Sequence, residues 1–174
     1  MDNLIIYIVC SIILIFLIYI FIYNKFISIR QYVFSSWSGI DVQLKRRTEL
    51  IPNLVNTVKG YAVHEKKLLE EITNIRSKLV KSDDDDVLEN SKLNHELTKE
   101  LKNLFMVAEN YPDLKANKNF LKLQTELTKT ENQIAAQRRI YNSNVMIYNT
   151  KVESFPSFII AKIHNFKKFN FFKK

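Results

Sequence analysis

QLKRRTELIPN, Gln43 to Asn53, sets three consecutive cations and a proline inside an otherwise continuous helical pattern. How this stretch is read decides the fold. A patch for a phosphate backbone would stand in a broadly basic body. Cations that end a helix would instead complement the negative end of its dipole. Pro52 would then suit the first turn of a following helix, where its missing N–H is not needed. The charge distribution favours the helical reading. The 174-residue chain carries a net charge of +8, yet residues 31–154 hold 19 basic against 17 acidic side chains. Residues 155–174 hold five lysines and no acid. The excess lies in the tail, so nucleic acid is a disfavoured partner for the body.

On both sides of the stretch, apolar positions recur at alternating spacings of four and three, the period of an amphipathic helix. One stripe runs Val33, Trp37, Ile40, Leu44, Arg47, Ile51, and a second runs Leu54, Val58, Tyr61, Glu65, Leu68, Ile72, Ile75, Leu79. A third runs Leu93, Leu97, Leu101, Leu104, Ala108. The fourth runs Leu127, Glu131, Ile134, Arg138, Tyr141, Val145, Tyr148, Val152. Only two glycines and three prolines interrupt the chain, which suits a few long helices. The pattern predicts an all-α fold, a long antiparallel four-helix bundle over residues 24–154. The first helix ends at Arg47–Pro52 and Pro52 opens the second. Tyr111-Pro112-Asp113 divides the third from the fourth. KSDDDD, Lys81 to Asp86, reads as a loop with its aspartates near the positive end of the third helix. It lacks the glycine and distal glutamate of a calcium-binding EF-hand. Gly60, inside the second helix on this reading, costs about 1 kcal/mol against alanine; a close helix approach would explain it.

Towards the amino terminus, LIIYIVCSIILIFLIYIFIY (4–23) is 20 residues without a charge. At 1.5 Å per residue it reaches about 30 Å, the thickness of a bilayer's hydrocarbon core. It predicts a transmembrane helix after a short extracytoplasmic segment, residues 1–3. Only Asp2 precedes the run, while Lys25, Arg30 and Lys45-Arg46-Arg47 follow it. The excess of cations after the run places the body in the cytoplasm. Cys10 is the one cysteine, which excludes an internal disulfide framework.

Three blocks carry a family resemblance. WSGIDVQLKRRTELIPNLVNTVKGYAVHE (Trp37 to Glu65), AENYPDLKANKNFLKLQTEL (Ala108 to Leu127) and TENQIAAQRRIYNSNVMIYNTKVESFPSFIIA (Thr130 to Ala161) resemble the signature of the LemA family. The segment Ser77–Asn103 departs from the family's usual alanine-rich stretch. The resemblance implies a bacterial single-pass membrane protein with a long antiparallel bundle. It implies no established catalytic activity.

The residues point the same way. None of His64, His95 or His164 follows a glutamate by three, so the ligand pairs of di-iron bundles are missing. His64-Glu65 is followed by Lys-Lys-Leu, so no zincin motif exists. No phosphate loop or nucleophile signature occurs. The chain is expected not to be an enzyme and to need no cofactor and no metal. Charged residues on the seams remain: Glu65, Glu131 and Arg138 form a candidate polar layer. That layer also raises the alternative of a small-ligand or metal sensor. Arg46, Arg47, Asn53, Glu109, Asn110, Tyr111 and Asp113 form a candidate polar cap at the end far from the membrane. The cap either seals the fold or binds a partner, with Glu109 or Asp113 accepting from Arg47.

The tail, 155–174, holds six of the twelve phenylalanines beside its five lysines. Such interleaving suits a membrane interface. Its candidate residues are Phe158, Lys162, Phe166, Lys167, Lys168, Phe169, Phe171 and Phe172. The expected partners are the lipid bilayer and other proteins.

Overall fold

The computed structural model describes residues 2–83 and 86–173, and all its regular elements are helical. In order these are α1 (Asp2–Lys59), a single 3-10 turn (Val63–Glu65), α2 (Lys66–Lys81), α3 (Val87–Ala108), α4 (Pro112–Lys115), α5 (Lys118–Glu153) and α6 (Ser157–Ile163). Asp84 and Asp85 of the acidic loop, Met1 and the terminal Lys174 lie outside the described residues. The chain forms two compact units. One comprises the chain up to Ser36 with Asn142–Phe169; the other comprises Trp37–Tyr141 with Asn170–Lys174.

In the second unit, parts of four helices, α1, α2, α3 and α5, pack on one another. Its core joins Ile51, Leu54 and Val58 of α1, Leu69 and Ile72 of α2, Leu97, Leu101 and Leu104 of α3, and Phe120 and Leu127 of α5. Opposed contacts give the directions. Gly39 faces Gln137 and Arg46 meets Glu126, so α1 and α5 run antiparallel here. Phe105 on Phe120 and Thr98 on Glu131 set α3 antiparallel to α5.

The first break falls elsewhere than Pro52. Helix α1 continues through Pro52 to Lys59. An interior proline removes one backbone hydrogen bond and costs about 3 kcal/mol or more. The carbonyl it leaves unbonded is that of Thr48, four residues back. Arg76 of α2 donates its Nε–H to that carbonyl at 3.2 Å, so a neighbouring helix supplies the bond that the proline cannot make. The chain turns at Gly60–Ala62 instead, where the Tyr61 and Ala62 N–H groups both reach the Val58 carbonyl. Gly60 thus follows α1 and does not interrupt a helix. A Cβ there would meet only ordinary contact at 3.7 Å, whereas the close approach is at Gly39, where a Cβ would lie 2.9 Å from Gln137 Oε1.

Side-chain caps define other starts. Asp86 accepts from the Leu88 and Glu89 N–H groups and opens α3 six residues before the stripe's first leucine. Asn117 accepts from Asn119 and Phe120 and opens α5. Both satisfy N–H groups that a helix start leaves without partners.

In the other unit, α1 and α5 again run antiparallel. Phe26 packs edge-on to Tyr148, and the Asn144 amide donates to the Tyr32 carbonyl. Phe26, Ile29, Val33, Val145 and Tyr148 are buried. Residues 4–18 of α1 are exposed throughout and apolar. By length and composition this is a candidate membrane-spanning helix.

Candidate functional site

Arg47 is buried within the bundle, 2% exposed, because it occupies a core position of α1. Its Nη1 lies 2.7 Å from Glu131 Oε2. The same nitrogen donates to Asn94 Oδ1 at 2.6 Å and Thr98 Oγ1 at 2.9 Å. Thr98 Oγ1 in turn lies 3.2 Å from Glu131. Three helices, α1, α3 and α5, therefore meet at one guanidinium. Burial pulls the Arg47 pKa down, and Glu131 opposes that pull by charge and hydrogen bonding. Among the described residues, Arg47 Nε and Gln43 Oε1 are buried without a hydrogen-bond partner, a donor and an acceptor one turn apart on α1.

Arg47 thus does not pair with Glu109 or Asp113. The cause is the misplaced turn. Because α1 runs on to Lys59, Arg47 lies about 18 Å short of the far end, in the middle of the bundle. Arg46 pairs with Glu126 at 2.6 Å. Lys129 first, and Arg46 after it, hold the Glu126 carboxyl below its ordinary range. Asn53 is exposed on α1.

The far corner is built from other members of the predicted cap. Tyr111 donates to Glu65 Oε1 at 3.1 Å. Burial first, then this carboxylate, raises the Tyr111 pKa. The Asn117 amide donates to the Tyr61 hydroxyl at 2.9 Å, and Lys115 pairs with Glu109. The Asn110 N–H bonds to the Val107 carbonyl, while Asp113 is exposed in α4. The predicted cap therefore divides: Glu109, Asn110, Tyr111 and Asp113 lie at the corner, where Glu65 of the predicted layer accepts from Tyr111, while Arg46 and Arg47 lie mid-bundle and Asn53 is exposed on α1.

Glu65 and Glu131 do not share a layer. Glu65 belongs to the 3-10 turn at the corner, and Glu131 lies 14 residues into α5 from Asn117, about 20 Å along the helix. Arg138 is half-buried further along α5. Glu65 accepts from Tyr111 and Glu131 pairs with Arg47. Among the described residues no three His, Cys, Asp or Glu side chains converge.

Asn90, Asn94 and Thr98 went unnoticed in the sequence. They recur every four residues on α3, beside Leu93, Leu97 and Leu101. That polar stripe flanking an apolar one was the available signal. Chemically the cluster is a charge held by neutral and anionic acceptors. One helix register brings all the acceptors to Arg47, and any slip strands a buried cation.

Three of the tail's six phenylalanine rings pack on the chain. Phe166 lies on Phe26 and Tyr23, and Phe169 lies on Tyr148 and Phe34. Phe172 is buried, 1% exposed, against Trp37, so it is not a membrane-interface residue as expected; an apolar ring gains more from that covered position. The Tyr141 hydroxyl donates to the Asn170 carbonyl and Ser91 to that of Lys173. Phe158, Lys162, Lys167, Lys168 and Phe171 remain exposed, with Lys168 paired to Glu153.

The model of the LemA family matches residues 36–174. Protein LemA of Metamycoplasma hominis is 30% identical, aligned over 83% of this chain and 68% of that protein. Magnetosome protein MamQ 2 of Paramagnetospirillum magneticum is 22% identical over 87% of this chain and 65% of its own length. Magnetosome protein MamQ of Magnetospirillum gryphiswaldense is 21% identical over 86% and 64%. The chain spans about two thirds of the length of these relatives.

Proposed function

Since the chain belongs to the LemA family, we propose that it is a non-enzymatic scaffold, adaptor or regulator that holds a rigid bundle at the inner face of a bacterial membrane. One observation carries the reading: the uncharged run 4–23 and the core residues Ile51, Leu54 and Val58 belong to the same helix, α1. The cations after the run favour a cytoplasmic body and an outside amino terminus. The Arg47 cluster supports a binding body over a catalytic one, since its charges are spent on each other. None of the relatives' names denotes an enzyme. The bundle's partners are other proteins, met at its exposed faces.

Fractionation and crosslinking test this reading. The full chain should stay with membranes through alkaline carbonate, and a form lacking residues 1–24 should be released. Crosslinked products from membranes should contain other proteins reproducibly. A chain extracted by carbonate, or crosslinked solely to lipid and itself, would contradict it.

A further inference from the structure

Helix α6 follows Ser154–Pro156 and reads Ser-Phe-Ile-Ile-Ala-Lys-Ile. It is apolar nearly all round. Ser157, Ile160 and Ala161 are covered by the protein. Phe158, Ile159 and Ile163 are bare, Ile163 at 65%, and Phe155 just before the helix is 79% exposed. A helix apolar on every side belongs in a core or a membrane. Leaving such a face in water is unfavourable.

Its position says which cover it has. The His164 ring at the end of α6 meets Tyr19 Oη at 2.6 Å and lies 4.7 Å from the Tyr23 ring. Its start shares a small hollow with Phe21, Ile22, Lys25 and Phe26. Both ends therefore lie beside residues 19–26 of α1, where the uncharged run gives way to its first cation. Tyrosines mark that depth as an interface. The neighbouring cations, Lys25, Lys151 and Lys162, suit anionic headgroups, and Lys162 on its long stem reaches water from an apolar helix.

We infer that α6 is a second membrane contact, an interfacial helix whose Phe158, Ile159 and Ile163, with Phe155 just before it, enter the leaflet in which the α1 span ends. The inference rests on the membrane-anchored reading. It makes the attachment two-footed: α1 crosses, and α6 lies in the surface and resists tilting of α1 where the span ends.

Cys10, the sole cysteine, makes the test direct. The full chain is labelled with an environment-sensitive fluorophore and reconstituted in phosphatidylcholine–phosphatidylglycerol vesicles with or without nitroxide-bearing lipid. Native Cys10 reports the span. Ile159→Cys and Ile163→Cys report α6, and Val63→Cys reports the far turn, each in a Cys10→Ser background. These positions are exposed, so the fold tolerates them; circular dichroism confirms it. Nitroxide lipid should quench Cys10, 159 and 163 by half or more and leave 63 unchanged. Quenching at Cys10 without quenching at 159 and 163 overturns the inference and leaves the anchor standing. No quenching at Cys10 overturns the anchor itself. Emission at 159 that follows the protein-to-lipid ratio, without lipid quenching, assigns the face to a second copy and also overturns it.

Discussion

Glu131→Gln should destabilise the bundle far more than Arg47→Met, although each breaks the same ion pair. The Arg47 side chain is 3% exposed and that of Glu131 38%. Losing the carboxylate leaves a cation that water cannot reach, with neutral acceptors at Asn94 and Thr98. Breaking a buried pair in this way costs about 3–5 kcal/mol. Glutamine keeps one acceptor oxygen, so about 3 kcal/mol is expected. Losing the cation instead leaves a carboxylate able to hydrate, and methionine fills the arginine's path. The remaining cost, the lost donor to Asn94 and Thr98, is about 1 kcal/mol. In the Arg47→Met background, Glu131→Gln should add almost nothing. Urea unfolding of the full chain in detergent, followed by far-ultraviolet circular dichroism, reads the difference. At a slope of about 2 kcal/mol per M, Glu131→Gln lowers the midpoint by about 1.5 M and Arg47→Met by about 0.5 M. Equal losses, or a larger loss for Arg47→Met, would refute the claim that the buried cation is the costly partner.

Three further outcomes follow from the same structure. Arg76→Leu should cost about 1–3 kcal/mol by leaving the Thr48 carbonyl unbonded, and much less in a Pro52→Ala background, where residue 52 regains its N–H; equal costs in both backgrounds would contradict the proline account. Asp86→Ala should cost about 1 kcal/mol by uncapping α3, with hydrogen exchange rising first at Leu88 and Glu89; unchanged exchange there would contradict the cap. Burial pushes the Tyr141 phenol up to about 12. A phenol raised above its unfolded value, about 10, stabilises the fold fully below that pH, and its contribution is lost as pH rises from 10 through 12. Ultraviolet titration should show one tyrosine fewer ionising late in Tyr141→Phe; an unaltered curve would contradict it.

The helices, the long apolar amino-terminal one included, were legible because each is a periodic or continuous apolar pattern many residues long. The turn was not. Pro52 signals a helix start locally, and the group that lets it sit inside α1, Arg76, is 24 residues away. Placing the turn at Pro52 instead of Gly60–Ala62 carried Arg47 to the end of the bundle, and the wrong acceptors followed. Arg47 was rightly singled out as a core cation in need of a partner. Its true acceptors were hidden because Asn94 and Thr98 look like ordinary helix-surface residues until α3 is docked. The tail shows another limit: phenylalanine suits a bilayer interface and a protein groove equally well. Composition could not separate Phe172, against Trp37, from the exposed Phe158.

The central claim, a bundle displayed at the inner face of the membrane, is tested most directly by labelling from outside. Val63 is 75% exposed in the far turn. In a Cys10→Ser background, Val63→Cys should resist a membrane-impermeant maleimide in intact cells and react fully once the membrane is permeabilised. Labelling in intact cells to the same extent as in permeabilised ones would put the bundle outside and contradict the account.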